Sequence, residues 1–180
     1  MDDRALVDAV LDGDRDAFRI LVERESVVVY RACLRILGHP HDAEDVAQES
    51  FVIAYRSLAS YRGDGPLGGW LLRIATRQAF RRLKQRPTVR LDDAPGLRQG
   101  HGEPDPLATA VRDESMRQIR ELVARLSDPY REVVALRFFG ELSLNEIAVA
   151  TGRPLATVKT HLRRGLERLR STIGAEEVSL

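Results

Sequence analysis

The chain has 180 residues, 43% of them apolar and 31% charged, which is enough for one or two globular domains with hydrophobic cores of useful size. Its 28 basic and 27 acidic side chains leave a formal net charge of +1, so bulk charge points to no partner. A single cysteine, Cys33, excludes a disulfide framework and a C-x-x-C metal site, and no apolar run approaches the roughly 18 residues of a membrane span. Met1, Asp2 and Asp3 open the chain without a basic-then-apolar leader, so the expectation is a cytoplasmic protein with no membrane insertion.

The charge distribution is more informative than the total. Residues 2–64 carry 13 acidic and 8 basic side chains, residues 65–91 carry 7 basic and no acidic ones, and residues 153–170 carry 6 basic ones against Glu167 alone. Two separate basic stretches imply two contacts with a polyanion. Only Lys84 and Lys159 are lysines, and the remaining basic residues are arginines. Arginine suits bidentate phosphate and base contacts, although a GC-rich genome produces the same bias.

Helical periodicity dominates and no segment alternates as a half-buried strand must, so the expected fold is all-α. Residues 3–11 form a short first helix and residues 14–37 a long second one, with Phe18, Leu21, Val22, Val29, Cys33 and Leu37 near helical spacing before Gly38 and Pro40 stop it. Asp42 is the expected cap of a third helix to about residue 58, with Ala43, Ala47, Phe51, Ala54 and Leu58 facing inward. Its outer face carries Asp45, Gln48, Glu49 and Val52 at i, i+3, i+4 and i+7, a strip able to dock another protein's helix. Asp42 and Glu44 are accounted for by the helix dipole alone. Residues 62–69, RGDGPLGG, read as a loop before a fourth helix over residues 70–84. On that helix Arg73, Arg77, Arg81 and Lys84 recur every three or four positions and form a stripe that can follow a phosphate backbone. Tyr55, Tyr61 and Trp70 border the loop; aromatics there suit stacking on unpaired bases, but Trp70 and Tyr55 are expected in the core.

Residues 87–112 hold four prolines and three glycines and read as a flexible linker, whose 26 residues would span roughly 28 Å as a coil. The domains are thus residues 1–86 and 113–175. Helicity resumes near Leu107 and runs to Leu126, and Ser127, Asp128 and Pro129 restart a helix to about residue 139. The strongest local signal follows. Ser143 and Glu146 form a capping box, Thr151 and Gly152 end that short helix, and after Arg153 and Pro154 a second helix carries an apolar stripe of Val158, Leu162, Leu166 and Leu169. This is a helix-turn-helix, whose second helix enters the major groove. Ala156, Thr157, Lys159, Thr160, Arg163 and Arg164 point away from the stripe as candidates for base and phosphate contacts.

Residues 42–51, DAEDVAQESF, resemble the polymerase-binding helix of sigma-70-type transcription initiation factors. With the 61–86 stretch YRGDGPLGGWLLRIATRQAFRRLKQR and the 126–170 helix-turn-helix, the chain is similar to the small extracytoplasmic-function (ECF) sigma factors, in which region 2 is joined by a linker to region 4. The resemblance implies two small helical domains and a promoter-specificity subunit that is not an enzyme, has no cofactor and no metal, and works with core RNA polymerase and promoter DNA. It places Asp45, Gln48 and Glu49 on the clamp helices of the polymerase's largest subunit, and has the 60–69 loop, with Ser60, Tyr61, Arg62, Gly63 and Asp64, take a flipped base of the minus-ten element. Arg73, Arg77 and Arg81 would hold phosphates near the melted junction, and Thr157, Lys159, Thr160, Arg163 and Arg164 would read the minus-thirty-five element. An anti-sigma protein is implied as a further partner. The chain departs from the family at Leu67, Gly68 and Gly69, where an aromatic, a basic and a hydroxyl residue are usual, and at His161 and Gly165. A polymerase-independent helix-turn-helix regulator is the alternative reading, and it leaves Asp45, Gln48 and Glu49 without a role. A carboxylate metalloenzyme finds no support, since His39, His41, His101 and His161 are scattered.

Overall fold

The computed structural model describes residues 2–85 and 106–177. Residues 86–105, which include most of the linker expected at 87–112, lie outside the described residues. Within them the elements are α1 (Asp3–Leu11), α2 (Arg15–Leu37), α3 (Pro40–Ser57), a 3-10 turn at Leu58–Ser60, α4 (Leu67–Gln85), α5 (Pro106–Arg125), α6 (Tyr130–Phe138), α7 (Leu144–Thr151) and α8 (Leu155–Glu177). The all-α expectation holds across them.

Local chemistry sets most boundaries. Asp2 Oδ1 accepts from the Ala5 N–H at 2.7 Å, and Asp14 Oδ1 accepts from Asp16 and Ala17 at 2.8 and 3.1 Å, so each aspartate satisfies donors that its helix cannot. Gly38 ends α2 at φ 71°, where a Cβ would be strained, and its N–H donates to the Leu34 carbonyl at 2.8 Å.

Three starts differ from expectation. The third helix begins at Pro40 after His39, so Asp42 lies inside its first turn rather than capping it. Proline supplies a helical φ and lacks only an N–H that would have had no partner. The fourth helix begins at Leu67, taking Gly68 and Gly69 into its first turn. Leu67 is fully buried and its N–H donates to Asp3 Oδ2 at 2.7 Å, so a carboxylate from α1 starts a helix that local propensity disfavours. Pro129 stands just before the first helical residue of α6. The fifth helix takes in residues 106–112.

Packing follows the apolar stripes. The α2, α3 and α4 helices pack on one another with α1 along α2, while α6, α7 and α8 form the helix-turn-helix body. All five inward residues of α3 and its following turn, Ala43, Ala47, Phe51, Ala54 and Leu58, are buried, as are Leu21, Val29, Cys33 and Leu37 of α2. Gly165 is required where α8 meets α6, because a Cβ there would lie 2.8 Å from Val134 Cγ2.

The two halves also pack against each other. Ala32 of α2 and Leu72 of α4 share one buried apolar cluster with Val133, Leu136, Ile147 and Val158. Phe80 and Phe139 meet edge-on at 5.8 Å. Arg120 of α5 donates to the Arg35 carbonyl at 2.6 Å, and Arg35 donates to the Phe139 carbonyl at 3.1 Å. Full burial of a side chain such as Leu136 or Ile147 stabilises by about 1.5–3 kcal/mol.

Candidate nucleic-acid and polymerase interfaces

The helix-turn-helix face is built by its caps. The Ser143 hydroxyl accepts from the Glu146 N–H at 3.3 Å while the Glu146 carboxylate accepts from the Ser143 N–H at 2.7 Å, and these bonds hold Glu146 below the usual carboxylate range. Gly152 turns the chain at φ 65° and α8 starts three residues later. With Val158 buried beneath, Lys159, Arg163 and Arg164 are exposed and Thr157 and Thr160 half-exposed, so the structure puts all five expected minus-thirty-five residues on one accessible side of α8. Thr160 donates to the Ala156 carbonyl at 2.9 Å, and Arg163 pairs with Glu167 at 2.8 Å in the exposed i, i+4 register. Such a pair contributes only tenths of a kcal/mol, leaving Arg163 available to a better partner. His161 stands edge-on to Tyr130 at 5.6 Å, and burial, with the charges of Arg153 and Arg164, lowers its pKa below the ordinary histidine value.

The α4 face is arranged differently. Arg77 and Lys84 are exposed, Arg81 pairs with Glu49 of α3 at 2.9 Å, and Arg73 donates to Glu132 of α6 at 2.8 Å. Beside the stripe lies an open groove of about 310 Å³ whose lining includes Ser57, Ser60, Trp70, Arg73 and Arg77. The Tyr61 hydroxyl donates to the Gly65 carbonyl and the Tyr61 ring stands 5.9 Å from that of Trp70, which pins the loop above the groove. Burial, with the charge of Asp3, pushes the Tyr61 phenol above its usual pKa. Ser60, Arg62, Gly63 and Asp64 are exposed on the loop.

On α3, Asp45 and Gln48 are exposed and Glu49 is half-exposed, on the side opposite the buried Ala43, Ala47 and Ala54. Tyr55, expected in the core, is 48% exposed beside Val52. The inward positions step through 51, 54 and 58, which leaves 55 on the flank, where its ring touches Phe18 edge-on at 4.8 Å. Trp70 is half-buried against the core, close to expectation. Sequence reasoning missed Glu132, which holds Arg73 and also accepts from Arg153 at 2.5 Å. Burial alone would raise its pKa, but the two arginines outweigh burial and hold the carboxyl below the usual range.

No group of three His, Cys, Asp or Glu side chains converges to hold a metal among the described residues, and no helix there is long and apolar enough to cross a membrane. A docking strip, a basic groove beside a glycine-rich loop, and a helix-turn-helix on one chain are the parts of a transcription initiation factor. The family model for Sigma-70 region 2 matches residues 21–87 and that for Sigma-70, region 4 matches residues 116–169. The chain is 35% identical over 173 residues to the ECF RNA polymerase sigma factor SigW of Bacillus subtilis, covering 91% of this chain and 92% of that protein. It is 32% identical over 180 residues to the ECF RNA polymerase sigma-E factor of Haemophilus influenzae, covering 95% of each. Among solved structures, CnrH in complex with the cytosolic domain of CnrY superposes with a TM-score of 0.60 at 25% identity, covering 96% of this chain and 97% of that one. The chain therefore belongs to the ECF group of sigma-70 family sigma factors, the subunits that bind core RNA polymerase and direct promoter recognition and transcription initiation in bacteria.

Proposed function

We propose that the parts of this sigma factor divide the work as their chemistry suggests, in a cytoplasmic protein that catalyses nothing itself. Residues 1–86 act as the module that docks on polymerase and opens the minus-ten DNA, residues 87–112 as the linker, and residues 113–175 as the module that holds the minus-thirty-five element. Asp45, Gln48 and Glu49 dock on the clamp helices of the largest polymerase subunit, and their exposure on a helix whose opposite side is buried supports this. Ser60, Tyr61, Arg62, Gly63 and Asp64 receive an unpaired base at the minus-ten element, with Arg73, Arg77 and Arg81 on the adjoining phosphates. Thr157, Lys159, Thr160, Arg163 and Arg164 face the minus-thirty-five duplex.

The single observation that carries this reading is that one chain presents an exposed acidic strip on α3, an open basic groove beside α4 and an exposed basic and hydroxyl face on α8, each on its own helix. By the family likeness a regulatory anti-sigma protein is a further partner of this chain, and CnrH is likewise solved with a second protein, the cytosolic domain of CnrY. Run-off transcription with purified core polymerase on a library of promoter fragments tests the division. New, sequence-selective starts that depend on this protein are expected. Specific duplex binding without any transcript would instead favour a regulator that works without polymerase.

A further inference from the structure

The fourth helix has no cap of its own. Pro66, just before Leu67, offers no side-chain acceptor, and Gly68 and Gly69 in the first turn are poor helix formers. The acceptor comes instead from α1. Asp3 Oδ2 takes the Leu67 N–H at 2.7 Å across 64 positions of sequence, while Asp3 Oδ1 accepts from Arg24 Nη2 at 2.6 Å. Arg24 Nε donates in turn to Glu25 Oε1 at 2.8 Å, and Glu25 Oε2 lies 2.7 Å from where a Cβ at Gly68 would stand. Burial alone would lower the Arg24 pKa, yet its bonds to Asp3 and Glu25 hold it above the ordinary value. The carboxylate is itself anchored, because Leu6, Val7 and Val10 bury one side of α1 in the core.

These contacts converge on the loop before α4. Tyr61 fixes one end through the Gly65 carbonyl and the Trp70 ring, and Asp3 fixes the other at Leu67. Between the ends, Arg62, Gly63 and Asp64 are exposed and make no hydrogen bond or ion pair among the described residues. Their own side chains therefore do nothing to shape the loop, and its shape depends on how the two ends are held.

We infer that Asp3 is a positioning residue for the minus-ten step: it holds the first turn of α4, and through it the 61–66 loop, in the shape that receives an unpaired base. This rests on the proposed placement of that base in the loop. Without the Asp3 carboxylate the Leu67 N–H loses its partner at a turn that contains two glycines, so the turn unwinds and the loop lengthens. The helix beyond it, held by the buried Leu71, Leu72 and Ala75, stays in place.

Trp70 is the chain's single tryptophan, and its ring stands 5.9 Å from that of Tyr61, so its fluorescence reports on the loop without DNA. In the free full-length chain, Asp3→Ala should raise acrylamide quenching of Trp70 about twofold as the turn opens. The second readout is discrimination by the holoenzyme between a labelled single strand of the preferred minus-ten sequence and the same strand with single bases replaced. Asp3→Ala should lower it about tenfold, the equivalent of one charge-assisted hydrogen bond. Asp3→Asn keeps an uncharged acceptor for Leu67 and should lower it about threefold, and it carries the test if Asp3→Ala does not fold. Binding to core polymerase and to a minus-thirty-five duplex should not change, and an equal loss there would make Asp3 a general structural residue and overturn the positioning role. Unchanged quenching overturns it too, as does unchanged discrimination where Arg62→Ala, in the loop itself, lowers it. If quenching rises but neither Asp3→Ala nor Arg62→Ala alters discrimination, the placement of the base in the loop fails, and the positioning role falls with it.

Discussion

The two basic faces of this sigma factor look alike in sequence and differ in the folded chain. On α8, Lys159, Arg163 and Arg164 are exposed, and among the described residues the only ion pair given for them is the local one between Arg163 and Glu167. On α4, Arg73 is taken by Glu132 from the other half of the molecule and Arg81 by Glu49 from the exposed strip of α3. The basic side of α8 is therefore exposed and paired only locally among the described residues, whereas the groove beside the glycine-rich loop is partly satisfied from within. Equal charge density does not mean equal availability: an arginine that already holds a buried carboxylate offers a phosphate fewer free N–H donors and a partly neutralised charge.

This contrast can be broken at several points, and the largest effect is expected on α3. Asp45→Arg combined with Glu49→Arg reverses the docking strip and releases Arg81. It should abolish polymerase binding in a pull-down while circular dichroism stays helical, and retained binding would remove the strip from the interface. Next comes the apolar seam. Leu136 is fully buried among Leu72, Ile147 and Val158, so Leu136→Ala should cost about 2–5 kcal/mol, read as a lowered denaturation midpoint.

Smaller effects are expected on the open face. Arg163→Ala should weaken binding to the preferred minus-thirty-five sequence by about 1–3 kcal/mol in an anisotropy titration, with little change on unrelated duplexes. Equal loss on all sequences would make Arg163 a phosphate contact. The smallest effect concerns pH. Because the folded pKa of Glu132 is lowered, its contribution is fully present above the unfolded carboxylate value and is lost as pH falls through the lower folded value. The difference in denaturation midpoint between the wild-type chain and Glu132→Gln should therefore hold from neutral to mildly acidic buffer and shrink only in acid.

How legible these features were depended on the range of the interaction behind them. The Gly38 stop and the Ser143–Glu146 box act within four residues, and each stands where the sequence alone puts it. The start of α4 at Leu67 was not legible, because it depends on Asp3, 64 residues away. Tyr55 was misplaced for a different reason: its aromatic character suggests the core, but the helical period puts it on the flank. Glu132 reads locally as an acid in a first helical turn, and nothing near it signals that its partners are 59 and 21 residues distant. Gly165, which departs from the family pattern, is explained only by the approach of Val134.

The sequence by itself determined the helices, their inward stripes, the family, and which side of α3, α4 and α8 is left polar, because periodicity and capping are local and each helix must bury its apolar side. The tertiary structure alone decided which of those faces is occupied. The seam joining Ala32 and Leu72 to Val133, Leu136, Ile147 and Val158, and the carboxylate that spans Arg73 and Arg153, come from opposite ends of the chain. Such contacts leave no periodic trace in sequence, since a buried ion pair is specified by where two surfaces meet and not by what stands beside each residue along the chain.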